Sequence, residues 1–548
     1  MRLNQVSYLL ATMLLLVSCS APLIPEPRPS RALGQHSVLT DTCGETESLN
    51  RLRQDWQVLW NPKQTETERQ QAMSRYNAEL LELLRHWRYL TVKEGILPLE
   101  DTDIRYDGKI TAKGMMKLFS DVVPSADIPK ENLEEHYSVP GLGVPMVGII
   151  PPENVGNAEK TIAIKSRGTV CNMTAVLTFD AKGKPRLEFI QRHRTETYRN
   201  GRRTLPLAGN FSAPIEIYWD LTQIRKDRYL GLLRPQKLRD TTGLTCMEQY
   251  DPNKIPVILT HGLASSAATF DQLVNRLMKK EEVRRHYQFW YFNYPTGTAW
   301  TQTATLYRQA LEDVRKKLDP QHSNRNWDRM VVIGHSMGGL ITHYSQCLEP
   351  WKMLEAANRG RALRIRPLLN EHYVNHPLPI SAHQLEPFRK DYCFAPVKAG
   401  MVVYMATPHK GAPLAHYRII ATLTRLVHLP QALLQEAYNL ATLQEDLIII
   451  NPSKLTEWFT SVNQLSPGSY SIRGLQGLAV RDVPTHSFIG NQGACGPLEE
   501  TTDGIVPYWS SHFEKGTETI IPTDHHVQDA AETAEKLADI LCDYAKKR

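Results

Sequence analysis

"MVVIGHSMGGLITHY", Met330 to Tyr344, is the stretch that decides how this 548-residue chain folds. Four apolar residues, Met330 to Ile333, run into Gly334, Ser336 stands among glycines, and a segment of helical character follows. The pattern predicts a buried strand, a tight turn and a helix. Such a turn often has no role beyond structure. In G-x-S-x-G it can also lift a serine hydroxyl above a sheet, because side chains at the two glycine positions would collide with neighbouring elements. A serine used in that way needs an acid and a base elsewhere in the chain.

The surroundings of the stretch are regular. From Ile255 onward, short apolar runs alternate with helix-length segments: "PVILTHG", "YQFWYFNY", "MVVIGHS", "GMVVYMATPHKG", "HSFIGN" and "ETIIPTDHH". Alternation of this kind predicts an α/β domain with a mostly parallel sheet and helices on both faces. Two intervals, Glu349 to Pro396 and Leu414 to Arg481, are too long for simple crossovers and read as lids or caps. Within the second, Leu414 to Ala441 is apolar at helical spacing, which suits an acyl-chain groove and a core-facing helix pair equally.

On a strand-turn-helix serine the acid follows the nucleophile and the histidine follows the acid. "EETTDGIVPYWSSH" places Asp503 in a turn after the strand "HSFIG", and "ETIIPTDHHVQDAAETAEKLADIL" places His525 and His526 between a last strand and a closing helix. The order makes Ser336 a nucleophile, oriented by a histidine and a carboxylate. Acyl transfer also needs backbone N–H groups where negative charge develops. Met337, opening the helix, supplies one, and Leu263, after the strand that ends at His261-Gly262, supplies the other. His261 precedes that turn and reads as structural.

These residues give the chain a resemblance to α/β-hydrolases of the lipase and esterase kind over residues 255–548. It most resembles lipoprotein hydrolases of bacterial envelopes, through His261-Gly262, "GHSMGG", "ATPHKG" (Ala406 to Gly411), "TTDGIVPYWSSH" (Thr501 to His512) and "DHH". Lipases of the inositol-deacylase type acting on GPI anchors share the elbow more distantly. Lys410 and Ala412 stand where Arg and Ser are commoner. The resemblance implies that the base is the histidine directly after the loop aspartate, His525, with His526 a variable neighbour. It implies no cofactor. No cysteine or histidine spacing in the chain suggests a zinc site.

The N-terminus points to an envelope location. "MRLNQVSYLLATMLLLVSCSAPL" has an apolar run from Tyr8 to Val17, too short to span a bilayer and suited to a secretory signal. Leu16-Val17-Ser18-Cys19 resembles the lipobox of bacterial lipoproteins, which implies lipidation of Cys19 and a membrane anchor of more than one acyl chain. Ser20 stands where an inner-membrane retention signal has Asp, so the implied destination is the outer membrane. Eight cysteines, seven apart from Cys19, are scattered too widely to specify disulfides.

The expected organisation is a signal segment at 1–19, a Pro-rich tether at 20–44, a helical region at 45–136, a β-rich, sandwich-like domain at 137–250 and the hydrolase domain at 251–548. "RYNAELLELLRHWRYL" carries the helical periodicity, "APIEIYWDL" is read as a strand, and "RHRTETYRNGRR" as a solvated hairpin tip. Hydrophobic content of 41% is that of a folded protein, and a net charge of +6 is too diffuse to suggest nucleic acid. The expected activity is hydrolysis of hydrophobic or lipid esters through an acyl-serine intermediate. The alternatives are acyl transfer on the same fold and a non-catalytic envelope scaffold.

Overall fold

The computed structural model describes residue 26 and residues 42–94, 103–106, 108, 110–157, 168–221, 231–232, 238, 241–248, 250–350, 352–353, 394–413, 461–493 and 496–547. Cys19 with its lipobox, and the bulk of both expected caps at 354–393 and 414–460, lie outside the described residues. The chain divides into two compact units: Met1–Lys226 with Met247–Gln249, and Asp227–Cys246 with Tyr250–Arg548. Among the described residues no helix is long and apolar enough to cross a membrane.

The first unit begins with helices α1 (Thr42–Trp60) and α2 (Glu66–Tyr89). Thr65 caps α2 through a reciprocal box: its hydroxyl accepts from the Glu68 N–H, and its own N–H donates to the Glu68 carboxylate at 2.8 Å. A cap of this kind contributes about 1 kcal/mol. Tyr76, Leu80, Leu83, Leu84 and Trp87 form the buried stripe of α2, as the periodicity of that stretch predicts.

The stripe covers a six-stranded sheet formed by β1 (Asp103–Tyr106), β2 (Ile110–Thr111), β3 (Asp121–Pro124), β4 (Val144–Ile150), β5 (Thr169–Phe179) and β6 (Pro185–Gln191), in the order β2-β1-β6-β5-β4-β3. Tyr76 is stitched to β5 near its C-terminal end, its hydroxyl donating to the Leu177 carbonyl and accepting from the Leu177 N–H at 2.7 Å. A buried phenol satisfied on both sides fixes the helix along the strand.

Three of these strands lie before residue 137, so the regions read separately from the sequence share one sheet, packed against helices rather than a second large sheet. The stretch "APIEIYWDL" departs from its expected strand and is helix α3 (Ala213–Leu221). Its β-branched and aromatic residues read as period two, but Asn210 accepts from the N–H groups of Ser212 and Ala213, and Pro214 sits in the first turn. These start signals outweigh composition: α3 is buried on several sides, Ile215, Ile217, Tyr218 and Trp219 included, so its apolar residues do not show a single helical stripe. The basic stretch forms the expected hairpin, with Thr197–Asn200 antiparallel to Arg203–Pro206, but it is not solvated throughout: Arg192 and His193 at its start are buried.

The second unit contains the seven-stranded sheet. Its strands are β7 (Gly243–Cys246), β8 (Ile255–Thr260), β9 (Tyr287–Asn293), β10 (Val331–His335), β11 (Met401–Met405), β12 (Thr485–Gly490) and β13 (Thr517–Ile521). They run in the order β7-β9-β8-β10-β11-β12-β13. All six expected runs are present and parallel, while β7 pairs antiparallel with β9. Strands β8 to β11 are buried throughout, as strands covered on both faces must be.

Chain direction reverses at β8. The connection from β8 to β9 goes one way across the sheet, and the next steps return past β8 to β10 and β11. Right-handed crossovers therefore put helix α4 (Asp271–Leu277) on one face, and α5 (Trp300–Leu318) and α6 (Met337–Ser345) on the other. The pairings agree: α5 packs on α6, while the closing helix α7 (Ala531–Lys546) packs on α4. In an open α/β sheet, a ligand crevice forms outside the carboxyl ends of the strands at such a reversal. Thr260 and His335, the ends of β8 and β10, are the residues that border it.

Candidate active site

Ser336 occupies the turn between β10 and α6 with φ 53° and ψ −123°, a conformation that non-glycine residues rarely adopt. Two backbone bonds hold it there. The Ser336 N–H donates to the Met405 carbonyl of β11 at 2.8 Å, and the Ser336 carbonyl accepts from Gly339 at 2.9 Å. The glycines of the motif are required by close approach. A Cβ at Gly334 would lie 2.5 Å from the Gly339 Cα, and one at Gly338 would lie 2.1 Å from the Thr260 carbonyl oxygen. The elbow is therefore pressed against both β8 and its own helix.

His525 and Asp503 meet at the adjoining strand ends. The Nδ1 of His525 lies 2.7 Å from Oδ2 of Asp503. The other carboxylate oxygen accepts from the Ile505 N–H at 2.8 Å and the Val506 N–H at 2.6 Å, so the acid is gripped by its own turn. A carboxylate can only accept, which assigns a hydrogen to Nδ1 and makes Nε2 the acceptor in the neutral form of the ring. Ser336, Asp503 and His525 are 6, 2 and 6% exposed. The His526 side chain is 53% exposed and faces Asp524 at 3.4 Å. The structure thus separates two histidines that the chain places side by side.

The turn after β8 abuts the elbow. A Cβ at Gly262 would lie 2.9 Å from the Ser336 Cβ, which puts the backbone leading into Leu263 directly beside the serine. Ala264, next in line, has φ 50°. Met337 is the first residue of α6, so its N–H has no acceptor within the helix. His261 is structural, as expected: its ring stacks on Tyr294 at 4.2 Å, and its carbonyl accepts from the Tyr294 hydroxyl. Burial pushes its imidazole down to about 4, so it is neutral at physiological pH.

The two remaining motifs are bonded to each other. Ser510 of "VPYWSSH" accepts from the Lys410 N–H at 3.2 Å and donates to the Gly411 carbonyl, tying the acid loop to "ATPHKG". His409 of that motif meets His343 of α6, Nδ1 to Nδ1, at 3.0 Å. Both rings are pushed down by burial, so one neutral ring donates to the other. Among the described residues no group of three or more His, Cys, Asp or Glu is placed to hold a metal ion.

One member of the site is not singled out by sequence: His335. It ends β10, it is buried, and its Nε2 lies 2.9 Å from the carbonyl oxygen of His525. Its position within G-x-S-x-G, where any residue is allowed, carries no signal of that contact.

Residues 251–429 match the family model described as "Putative serine esterase (DUF676)". That span contains Leu263 and Ser336 and ends before Asp503 and His525. Among curated proteins none matches the chain in sequence. Among solved structures, it is similar to a Bacillus licheniformis lipase in its mature form, at 14% identity over 53% of this chain and 93% of that one, with a TM-score of 0.30. A carboxylesterase of Nitrososphaera gargenis aligns at 14% identity over 54% and 93%, TM-score 0.27. A lipase-esterase related protein from Clostridium acetobutylicum aligns at 12% identity over 54% and 96%, TM-score 0.24. Likenesses of this size carry no weight on activity. The strand order, with one antiparallel strand among the described residues, and the elbow are those of the α/β-hydrolase fold, and the part of this unit at 251–429 matches the "Putative serine esterase" model.

Proposed function

We propose that the second unit hydrolyses hydrophobic carboxylic esters by way of an acyl-serine intermediate. Ser336 Oγ attacks the ester carbonyl while His525 Nε2 takes its proton. The carbonyl oxygen becomes an oxyanion, held by the N–H groups of Leu263 and Met337. The intermediate collapses as the imidazolium returns that proton to the departing alkoxide, leaving an acyl-serine and a free alcohol. Water then gives a proton to Nε2 and attacks the acyl carbon, and Ser336 leaves with the proton. Asp503 holds the imidazole in the tautomer that both halves need. The observation that supports this most is the buried 2.7 Å bond between His525 and Asp503, in a loop bonded to the residue preceding Ser336.

A common acyl-enzyme has a direct test. Two esters with the same acyl group and different alcohols, hydrolysed with added hydroxylamine, should give the same ratio of hydroxamate to acid. A ratio that follows the leaving alcohol would mean that no shared intermediate forms.

Location belongs to the same proposal. A diacylated Cys19 would hold the enzyme at an envelope membrane of a bacterium, the outer membrane in view of Ser20, and bring it to lipid or other hydrophobic esters. In a bacterial host, Cys19→Ser is expected to move the protein from the membrane to the soluble fraction. Unchanged membrane association would refute anchoring through Cys19.

A further inference from the structure

Three pieces of the site come from separated parts of the chain: the Gly262 turn, the Ser336 elbow and the His525 loop. One ring touches all three. His335 is bonded through the chain to Ser336. Its Nε2 is 2.9 Å from the His525 carbonyl oxygen. Its Nδ1 faces the Gly262 turn so closely that a Cβ there would lie 3.2 Å away. The His335 and His525 ring centroids are 5.0 Å apart.

The chemistry of the contact assigns the tautomer. A backbone carbonyl only accepts, so Nε2 of His335 carries the hydrogen. Burial and the neighbouring histidines keep the ring neutral, which leaves Nδ1 as a bare acceptor against the turn. That Nδ1 has no hydrogen-bond partner among the described residues. A methyl or alkyl side chain would fill the space without the cost of a buried bare nitrogen, so the imidazole is retained at a cost in stability that its one bond must offset.

Asp503 grips the His525 side chain at Nδ1 and restrains the ring orientation. It does not restrain the backbone from which the ring projects. We infer that His335 is a positioning residue whose Nε2–H holds the His525 backbone against the elbow, setting the distance from the base to Ser336. This inference rests on the proposed roles of Ser336 and His525. Two contacts on opposite ends of one residue, carboxylate on the ring and imidazole on the carbonyl, leave the base little freedom to move away from the hydroxyl. Displacements of about 1 Å at such a group cost about 10²-fold in rate.

Glutamine and methionine separate the role from packing. The two side chains are of equal length and neither is branched at Cβ or Cγ, and the Gln amide N–H reaches the position of the imidazole Nε2–H while Met offers no donor. Wild type, His335→Gln and His335→Met are compared for kcat and KM on one soluble ester, for the rate of covalent fluorophosphonate labelling, and for thermal unfolding. The expected result is His335→Gln within about threefold of wild type, and His335→Met folded with kcat and labelling rate lower by about 10- to 100-fold at similar KM. Equal rates for folded Gln and Met variants would overturn the inference. So would a folded His335→Gln below one tenth of wild type, whatever His335→Met does. Wild-type protein that is not labelled at all would instead refute the nucleophile assignment, which keeps the two failures apart.

Discussion

Ser336→Ala is expected to melt as wild type does and to lose at least about 10⁴-fold in kcat on any ester the wild type cleaves. The size of the loss follows from the chemistry. Without Oγ there is no group to accept the acyl chain, and the remaining oxyanion donors and binding contacts can assist only direct attack by water. Stability should not fall with activity. Ser336 is held by its main chain, through Met405 and Gly339, and its side chain takes part in neither bond. The strain at φ 53° is present with either residue, so alanine brings no new backbone cost beyond serine's own. Purified protein assayed alongside a thermal melt checks both halves of the expectation.

The second large effect separates adjacent residues. His525→Ala should cost about 10⁴-fold or more in kcat, and His526→Ala should stay within about threefold of wild type. The chain bends at this pair, with His526 at φ −88° and ψ 49°, and only one of the two side chains turns inward. The inward one is His525, with Nδ1 on Asp503, while His526 is half exposed beside Asp524. Asp503→Asn should approach the loss of His525→Ala. An amide in place of the carboxylate can donate to Nδ1, which favours the tautomer with the proton on Nε2 and blocks the base. Collapse in His526→Ala with His525→Ala nearly intact would reverse the assignment.

How far the chain could be read depended on whether its signals were local. The elbow was legible because strand, turn and helix are consecutive, and its glycines answer to steric contacts that allow no other residue. Strands β8 to β11 were legible because burial on both faces makes each a nearly continuous apolar run. Strand β7 escaped notice, since four residues, "GLTC", are too few to show a period. Strands β1 to β3 escaped for the same reason, and with them the joining of the helical and β-rich regions into one sheet-bearing unit. Helix α3 misled through composition, which burial selects as strongly as backbone preference does.

Within the site, Asp503 could be read from its place after a strand, and the choice of His525 over His526 came only from family likeness. What no sequence pattern supplied was His335, whose contact with His525 spans 190 positions and depends on the ends of two strands meeting in space.

The most direct measurement is the site of a covalent adduct. Folded protein is treated with a fluorophosphonate, digested, and the modified peptide sequenced by mass spectrometry. Proposed chemistry at the elbow predicts one adduct, on Ser336, that forms in wild type and is absent from Ser336→Ala and slowed by orders of magnitude in His525→Ala. Labelling of Ser336→Ala at the wild-type rate, or an adduct on another serine with Ser336 unmodified, would contradict it.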